Sequence, residues 1–159
     1  MKATPPAYAS QDDLFHSLEW VAPGFEVVQS HLQDWKFQAA DTVADGGLHA
    51  RLLIGRKVPI GEIASSATQL NAVFAAATVN LTQGEKILES GSGANVLDGP
   101  LMALQHFLKE LRACPGAPDL LPGDVITTGT WTDAWPVLPG EQWTADFGAP
   151  LSRLQVVFE

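Results

Sequence analysis

The chain has 159 residues, a formal net charge of −9, 46% hydrophobic residues and only 17% charged ones. One domain, residues 1–159, is expected at this length, and the acidic balance argues against a nucleic-acid binder, because the densest basic stretch holds only Arg51, Arg56 and Lys57. A lone Cys114 rules out an internal disulfide and points to a reducing compartment; with no apolar run near the ~20 residues of a membrane span and no signal-type core in Met1–Ser10, a cytoplasmic protein is expected.

Ser10 and Asp13 have the spacing of a capping box. A helix is expected from Gln11 to about Val21, with Leu14, Phe15 and Leu18 on its buried side and Pro23-Gly24 as its stop. Phe25–Ser30 reads as a strand in which Glu26 stands among Phe25, Val27 and Val28. Asp34-Trp35-Lys36 reads as a turn or short helix. Asp41-Thr42-Val43-Ala44-Asp45-Gly46-Gly47 is polar and turn-forming. His49–Ile54 is a strand candidate, and Lys57–Ser65 is read as a further strand around Pro59-Ile60-Gly61.

Leu70–Leu81 is largely apolar and rich in Ala, Val and Thr, and periodicity does not separate helix from strand there. Thr82-Gln83-Gly84-Glu85 is a hairpin turn, with Gly84 free to take a positive φ, pairing Ala77–Leu81 with Lys86–Glu89. Asp98 is expected to cap a helix that has Pro100 in its first turn. That helix runs to about Arg112 and carries Leu101, Leu104, Leu108 and Leu111 at helical spacing. Val125–Thr128, Gln142–Phe147 and Leu154–Phe158 are read as the last strands. Five tryptophans in a low-charge chain favour burial or an interface.

Several segments, taken in order, carry a resemblance. They are Pro23-Gly24-Phe25-Glu26-Val27-Val28-Gln29-Ser30-His31, Asp34-Trp35-Lys36, Asp41-Thr42-Val43-Ala44-Asp45, Gly91-Ser92-Gly93-Ala94-Asn95-Val96-Leu97-Asp98-Gly99-Pro100, and Leu121-Pro122-Gly123-Asp124-Val125-Ile126-Thr127-Thr128-Gly129-Thr130. Over residues 10–159 the chain resembles the C-terminal part of the fumarylacetoacetate hydrolase superfamily, in its 2-keto-4-pentenoate hydratase and 4-oxalocrotonate decarboxylase branch. The resemblance implies an α+β fold, with a mixed β-sheet rolled into a distorted barrel-like core and flanking helices. It implies a lyase, a hydratase or decarboxylase that acts on a short unsaturated 2-oxo acid with the help of Mg or Mn. It also implies a homo-oligomer.

In the family, three carboxylates hold the metal: a Glu-x-Glu pair on one strand, whose alternate residues share a face, and an acidic residue on a later strand. Glu26 matches the later ligand; its alternative is an ion pair with Lys36, His31 or another basic residue. No Glu-x-Glu occurs in this sequence, so the expectation is a chain lacking the family's N-terminal region. The pair would then come from a second chain, or the chain is a non-catalytic or split-enzyme subunit. Lys36 and Asp45 match family positions with catalytic roles. For Lys36 the alternative is an ordinary ion pair; for Asp41 and Asp45 it is side-chain bonding within a turn. Gly129 and Thr130, after Thr128, match the loop that meets the substrate carboxylate, against the alternative of a simple turn. Gln29 and His31 stand where the family has an acidic residue and an Arg, and Gly46 where it has Asn. Trp131 and Trp135 are read either as pocket walls or as a subunit contact. Gly91 and Gly93 are no dinucleotide fingerprint, since the third glycine and the βαβ context are missing.

Overall fold

The computed structural model describes residues 1–159. Four helices build the filled part of the molecule. Helix α1 (Gln11–Ser17) starts on the expected capping box, with the Ser10 hydroxyl and N–H both bonded to Asp13. Helices α3 (Ile60–Ile63), α4 (Ala67–Ala76) and α5 (Pro100–Ala113) pack with it. Their core is Leu14, Phe15, Ile60, Ile63, Leu70, Phe74, Leu101, Leu104 and Leu108, closed by Met1, Val58 and Leu120. Leu14 and Leu70 have no solvent exposure. Short i, i+3 and i, i+4 spacings of Leu, Ile and Phe place one apolar stripe per helix against this centre.

The strands form three separate antiparallel sheets. Strands β1 (Trp20–Val21) and β4 (Val58–Pro59) pair briefly, and β2 (Gly24–Val28) pairs with β3 (His49–Ile54). Between β2 and β3 lies the short helix α2 (Ala39–Ala44). The largest sheet has the order β6-β5-β7-β8, built from β5 (Thr78–Gln83), β6 (Lys86–Ser92), β7 (Gln142–Asp146) and β8 (Leu154–Val157). On β5, Val79 and Leu81 face inward and Thr78 and Asn80 outward, as alternation requires. All pairings are antiparallel, and the sheets do not join into a closed barrel. The molecule is α+β, and no helix is long and apolar enough to cross a membrane.

Several expected elements differ. Helix α1 ends at Ser17 rather than near Val21, because Trp20 and Val21 find ladder partners at Pro59 and Val58. Asp41–Ala44 is helical rather than a bare turn: the Asp41 carboxylate accepts the Gln38 N–H at 2.8 Å and starts α2. Only Val58–Pro59 of the expected 57–65 strand is extended; Ile60 and Ile63 lie one turn apart and both sink into the helical core. Leu70–Leu81 divides into the end of α4 and the start of β5. Asp98 does not cap α5: Gly99 occupies the cap with φ 153°, and no side chain bonds there, although Pro100 opens the helix as expected. Val125–Thr128 joins no sheet. The strand β3, the Gly84 turn with φ 57°, and strands β7 and β8 fall where the sequence places them.

Candidate active site

A cavity of about 880 Å³ opens between the β2–β3 hairpin and the inner face of the four-stranded sheet. Its floor is Val79, Leu81, Trp143, Ala145 and Val156. Cross-strand pairing explains the set: Leu81 lies opposite Ala145, and Trp143 opposite Val156. The hairpin supplies Phe25 to Val28 with Leu52 and Ile54, and the segment Asp124–Val137 forms the rim. Of the 42 lining residues, 28 are hydrophobic, and all five tryptophans of the chain are among them. Glu26, Asp124 and Asp133 are the charged lining residues; no Lys, Arg or His lines the space.

Glu26 lines this cavity. Its side chain is 44% exposed rather than buried, and its carboxylate lies 3.3 Å from His49 Nδ1 across the hairpin. Neither Lys36 nor His31 pairs with it; the expected alternative of another basic residue is met by His49. A half-exposed pair of this kind contributes roughly 0–1 kcal/mol. The partner follows from register: Val28 lies opposite His49 and Glu26 opposite Leu52, so the imidazole reaches along the strand to the carboxylate. A sequence without register does not reveal it.

Thr128, Gly129 and Thr130 line the same cavity as Glu26. Gly129 has φ 118°, and a Cβ there would come within 3.0 Å of the Val96 side chain. The Thr130 hydroxyl donates to the Thr132 carbonyl at 2.6 Å and accepts the Thr132 N–H, which forms a tight local turn. Val125–Thr130 makes no main-chain hydrogen bond, so its N–H groups are free to meet an anion. No Lys, Arg or His lines the cavity and the Met1 amino group is taken up by the Asp124 carbonyl, which leaves these N–H groups as donors for a carboxylate.

Lys36 and Asp45 lie outside the cavity lining. Lys36 is exposed and forms no ion pair. Asp45 accepts the His31 N–H at 3.0 Å and lies 2.5 Å from His31 Nδ1. The two bonds, main-chain N–H first, hold its carboxyl below the usual carboxylate range. Asp45 thus ties the chain after β2 to the end of α2. Its neighbour Gln29 donates its main-chain N–H to the Leu48 carbonyl at 2.8 Å, which fixes the same corner.

The rim is held by residues that the sequence does not single out. Glu89 accepts the Asp133 N–H and the Trp135 indole N–H, the latter at 2.8 Å. Asn95 donates to the Trp131 carbonyl at 3.1 Å, and Trp131 meets Phe147 edge to face at 5.3 Å. A Cβ on Gly91 would sit 1.9 Å from the Trp131 carbonyl oxygen, and one on Gly93 2.0 Å from that of Phe74. These two glycines let the rim and α4 approach the end of β6; the close approach is their function in this fold.

No three His, Cys, Asp or Glu side chains converge on a common point anywhere in the chain. Glu26 brings one carboxylate, beside the His49 imidazole, where the resemblance implies three carboxylates. The residues present therefore do not build the metal centre that the resemblance implies.

No family model matches the chain. The 2-hydroxyhexa-2,4-dienoate hydratase of Comamonas testosteroni is 29% identical over 134 residues, which are 84% of this chain and 47% of that protein. The 2-keto-4-pentenoate hydratase of Burkholderia vietnamiensis is 32% identical over 118 residues, 74% of this chain and 41% of the relative. The structure of 4-oxalocrotonate decarboxylase from Pseudomonas putida G7, complexed with magnesium and adipate, superposes with a TM-score of 0.82 at 25% identity, covering 99% of this chain and 57% of that one. The chain spans less than half the length of these curated relatives. In sequence and in fold, the chain is similar to the C-terminal part of the 2-keto-4-pentenoate hydratase and 4-oxalocrotonate decarboxylase branch of the fumarylacetoacetate hydrolase superfamily.

Proposed function

We propose that this chain forms the substrate-cavity part of a lyase of the hydratase or decarboxylase type, acting on a short unsaturated 2-oxo acid. The observation that carries the reading is the superposition of nearly the whole chain on a decarboxylase, together with a cavity whose wall holds Glu26 and the free N–H groups of Thr128–Thr130. The apolar floor suits the hydrocarbon part of such an acid. The N–H row suits its carboxylate, with Gly129 allowing the backbone to come close. Glu26, held to His49, is the one carboxylate on the hairpin wall and the residue able to hold or move a proton beside the substrate. Lys36 and Asp45 are proposed only to support the site's outer edge.

Because the chain's own ligands do not make a cation site, a Mg- or Mn-dependent reaction requires carboxylates from polypeptide outside these 159 residues. The same addition would complete the barrel that the separate sheets leave open. A homo-oligomer in which this single domain is the repeated unit is part of the proposal.

The test is a calorimetric titration of the chelator-treated chain with Mg2+ or Mn2+, with and without oxalate as a 2-oxo acid mimic. The chain alone is expected to bind neither ion tightly, and oxalate weakly with a dependence on Gly129. Stoichiometric metal binding that is strengthened by oxalate and lost in Glu26→Ala would show that the chain does complete the centre. A non-catalytic role is the second reading, favoured by Gln29 and Gly46 in place of the family's acidic residue and Asn. It predicts no turnover of 2-hydroxypenta-2,4-dienoate under any pairing with a further polypeptide.

A further inference from the structure

We propose that Trp131 and Trp135 form a specificity wall, and that the 2-oxo acid taken by this site ends in a flat aromatic group rather than in an open chain or a second carboxylate. The inference rests on the 2-oxo acid reading above and names the far end of that acid.

The wall is built on β6, an edge of the four-stranded sheet. Its Glu89 and Gly91 lie opposite Leu81 and Val79, two floor residues of the cavity. Opposed residues on paired strands point to one face, so Glu89 and Gly91 look toward the cavity, and Trp131–Trp135 is laid down over them. Gly91 has no side chain, and the Trp131 carbonyl takes the space that one would fill. Gly93 makes room for the ring in the same way: a Cβ there would come within 3.1 Å of Trp131 Cζ2. Asn95 donates to the Trp131 carbonyl, and Phe147 meets the ring edge to face. Glu89 fixes the second indole by accepting its N–H, and steadies the main chain beside it by accepting the Asp133 N–H. Two large side chains are thus pinned, yet neither is buried. Trp135 is 43% exposed, Trp131 is partly buried, and both line the cavity. An aromatic side chain anchored in this way, with apolar area left open to a cavity, is a surface for a ligand.

The place of the wall decides which end of the acid it meets. Trp131 directly follows Thr130, at the end of the free N–H row that suits the carboxylate head. With the head at that row, the tail lies against the indoles. Indoles recognise flat rings by offset or edge-to-face packing, a gain that a flexible chain of similar area does not make. Charge excludes the other kind of tail. The charged lining residues are Glu26, Asp124 and Asp133, and no Lys, Arg or His lines the space. Asp133 stands between the two tryptophans, and the Glu89 carboxylate lies behind them. A second carboxylate on the tail would give up water and meet only like charge. Every residue of the wall belongs to this chain.

The test is a ligand-observed NMR titration of the intact chain with 2-oxo-4-phenylbutanoate, 2-oxooctanoate and 2-oxoadipate. The phenyl acid is expected to bind about fivefold more tightly than the open-chain acid, and 2-oxoadipate about tenfold more weakly than the open-chain acid. For variants the readout is a ratio of dissociation constants. Trp131→Leu and Trp135→Leu are each expected to bring the phenyl to open-chain ratio close to one, and Asp133→Asn to narrow the gap between 2-oxoadipate and 2-oxooctanoate. The wild-type order of the three acids carries the test without any substitution. Equal binding of the phenyl and open-chain acids, tightest binding of 2-oxoadipate, a ratio that survives both tryptophan substitutions, or no binding of any of the three would each overturn the proposal. A further titration with 4-phenylbutanoate, which lacks the 2-oxo group, separates this inference from the reading it rests on. If that acid binds as tightly as its 2-oxo form, the 2-oxo acid reading fails, while the wall's choice of an aromatic end stands.

Discussion

The helical half and the sheet half of this molecule are built from similar residues and finished to different degrees. In the helical half, every apolar stripe meets another, and Leu14 and Leu70 are fully enclosed. In the sheet half, the strands make their ladders and sort their faces, but the apolar faces look across an open cleft. The difference teaches that secondary structure and closure are separate achievements. Ladder hydrogen bonds are satisfied pair by pair, whereas a core needs a second layer.

If that contrast is real, truncations in the two halves should differ most of all. Leu70→Ala is expected to destabilise by about 2–5 kcal/mol, since it empties a filled site. Ile54→Ala, on the cleft wall at 41% exposure, is expected to change stability by less than about 0.5 kcal/mol, as for exposed positions. Urea denaturation of both variants reads the difference, and equal losses would break the comparison.

The rim offers a sharper probe. Gly91→Ala must push the Trp131 carbonyl away and is expected to cost about 1–3 kcal/mol, as overpacking does. Glu89→Gln keeps the shape of the side chain but loses the charge that receives the Asp133 and Trp135 N–H groups. It is expected to raise amide exchange at Asp133 while leaving the melting temperature nearly unchanged. A large drop in melting temperature would mean that the rim belongs to the filled half.

The smallest expected effect is at the corner beyond the cleft. The Asp45 carboxyl is held low by the His31 N–H and ring. Its folded titration point therefore lies below that of the unfolded chain, ~3.9 for an ordinary Asp. The stabilising contribution is present above that value and is lost as the pH falls through the folded titration point. Carboxyl NMR titration should show the low midpoint, with His31→Ala returning it only partway because the main-chain donor remains.

What could be read in the sequence follows the same division. Strand β3, the Gly84 turn and the stripe of α5 were legible because each is decided within a few residues. Helix α2 was not: it buries no side chain, Val43 is 80% exposed, and Asp, Thr and Gly read as turn formers. The early end of α1 depends on a partner nearly forty residues away, which local pattern does not contain. At the site, Glu26 and Thr128–Thr130 were visible as residue types in a familiar order, and they do share one cavity. His49, Glu89 and Asn95 were not singled out there, because only strand register and a loop crossing bring them to their partners. Lys36 and Asp45 carried the right sequence context but lie outside the lining, since α2 and the turn before it keep them at the outer edge.

All five tryptophans line a single space and none lies elsewhere. The molecule's tryptophan emission, selected against that of the exposed Tyr8, is therefore weighted to that space. Anything that enters, whether peptide, acid or detergent, should shift the emission maximum and alter iodide quenching. The protein thus carries its own optical sensor at the place where its partner or substrate is to be sought, and a simple fluorimeter titration can screen candidates before any label or assay is devised.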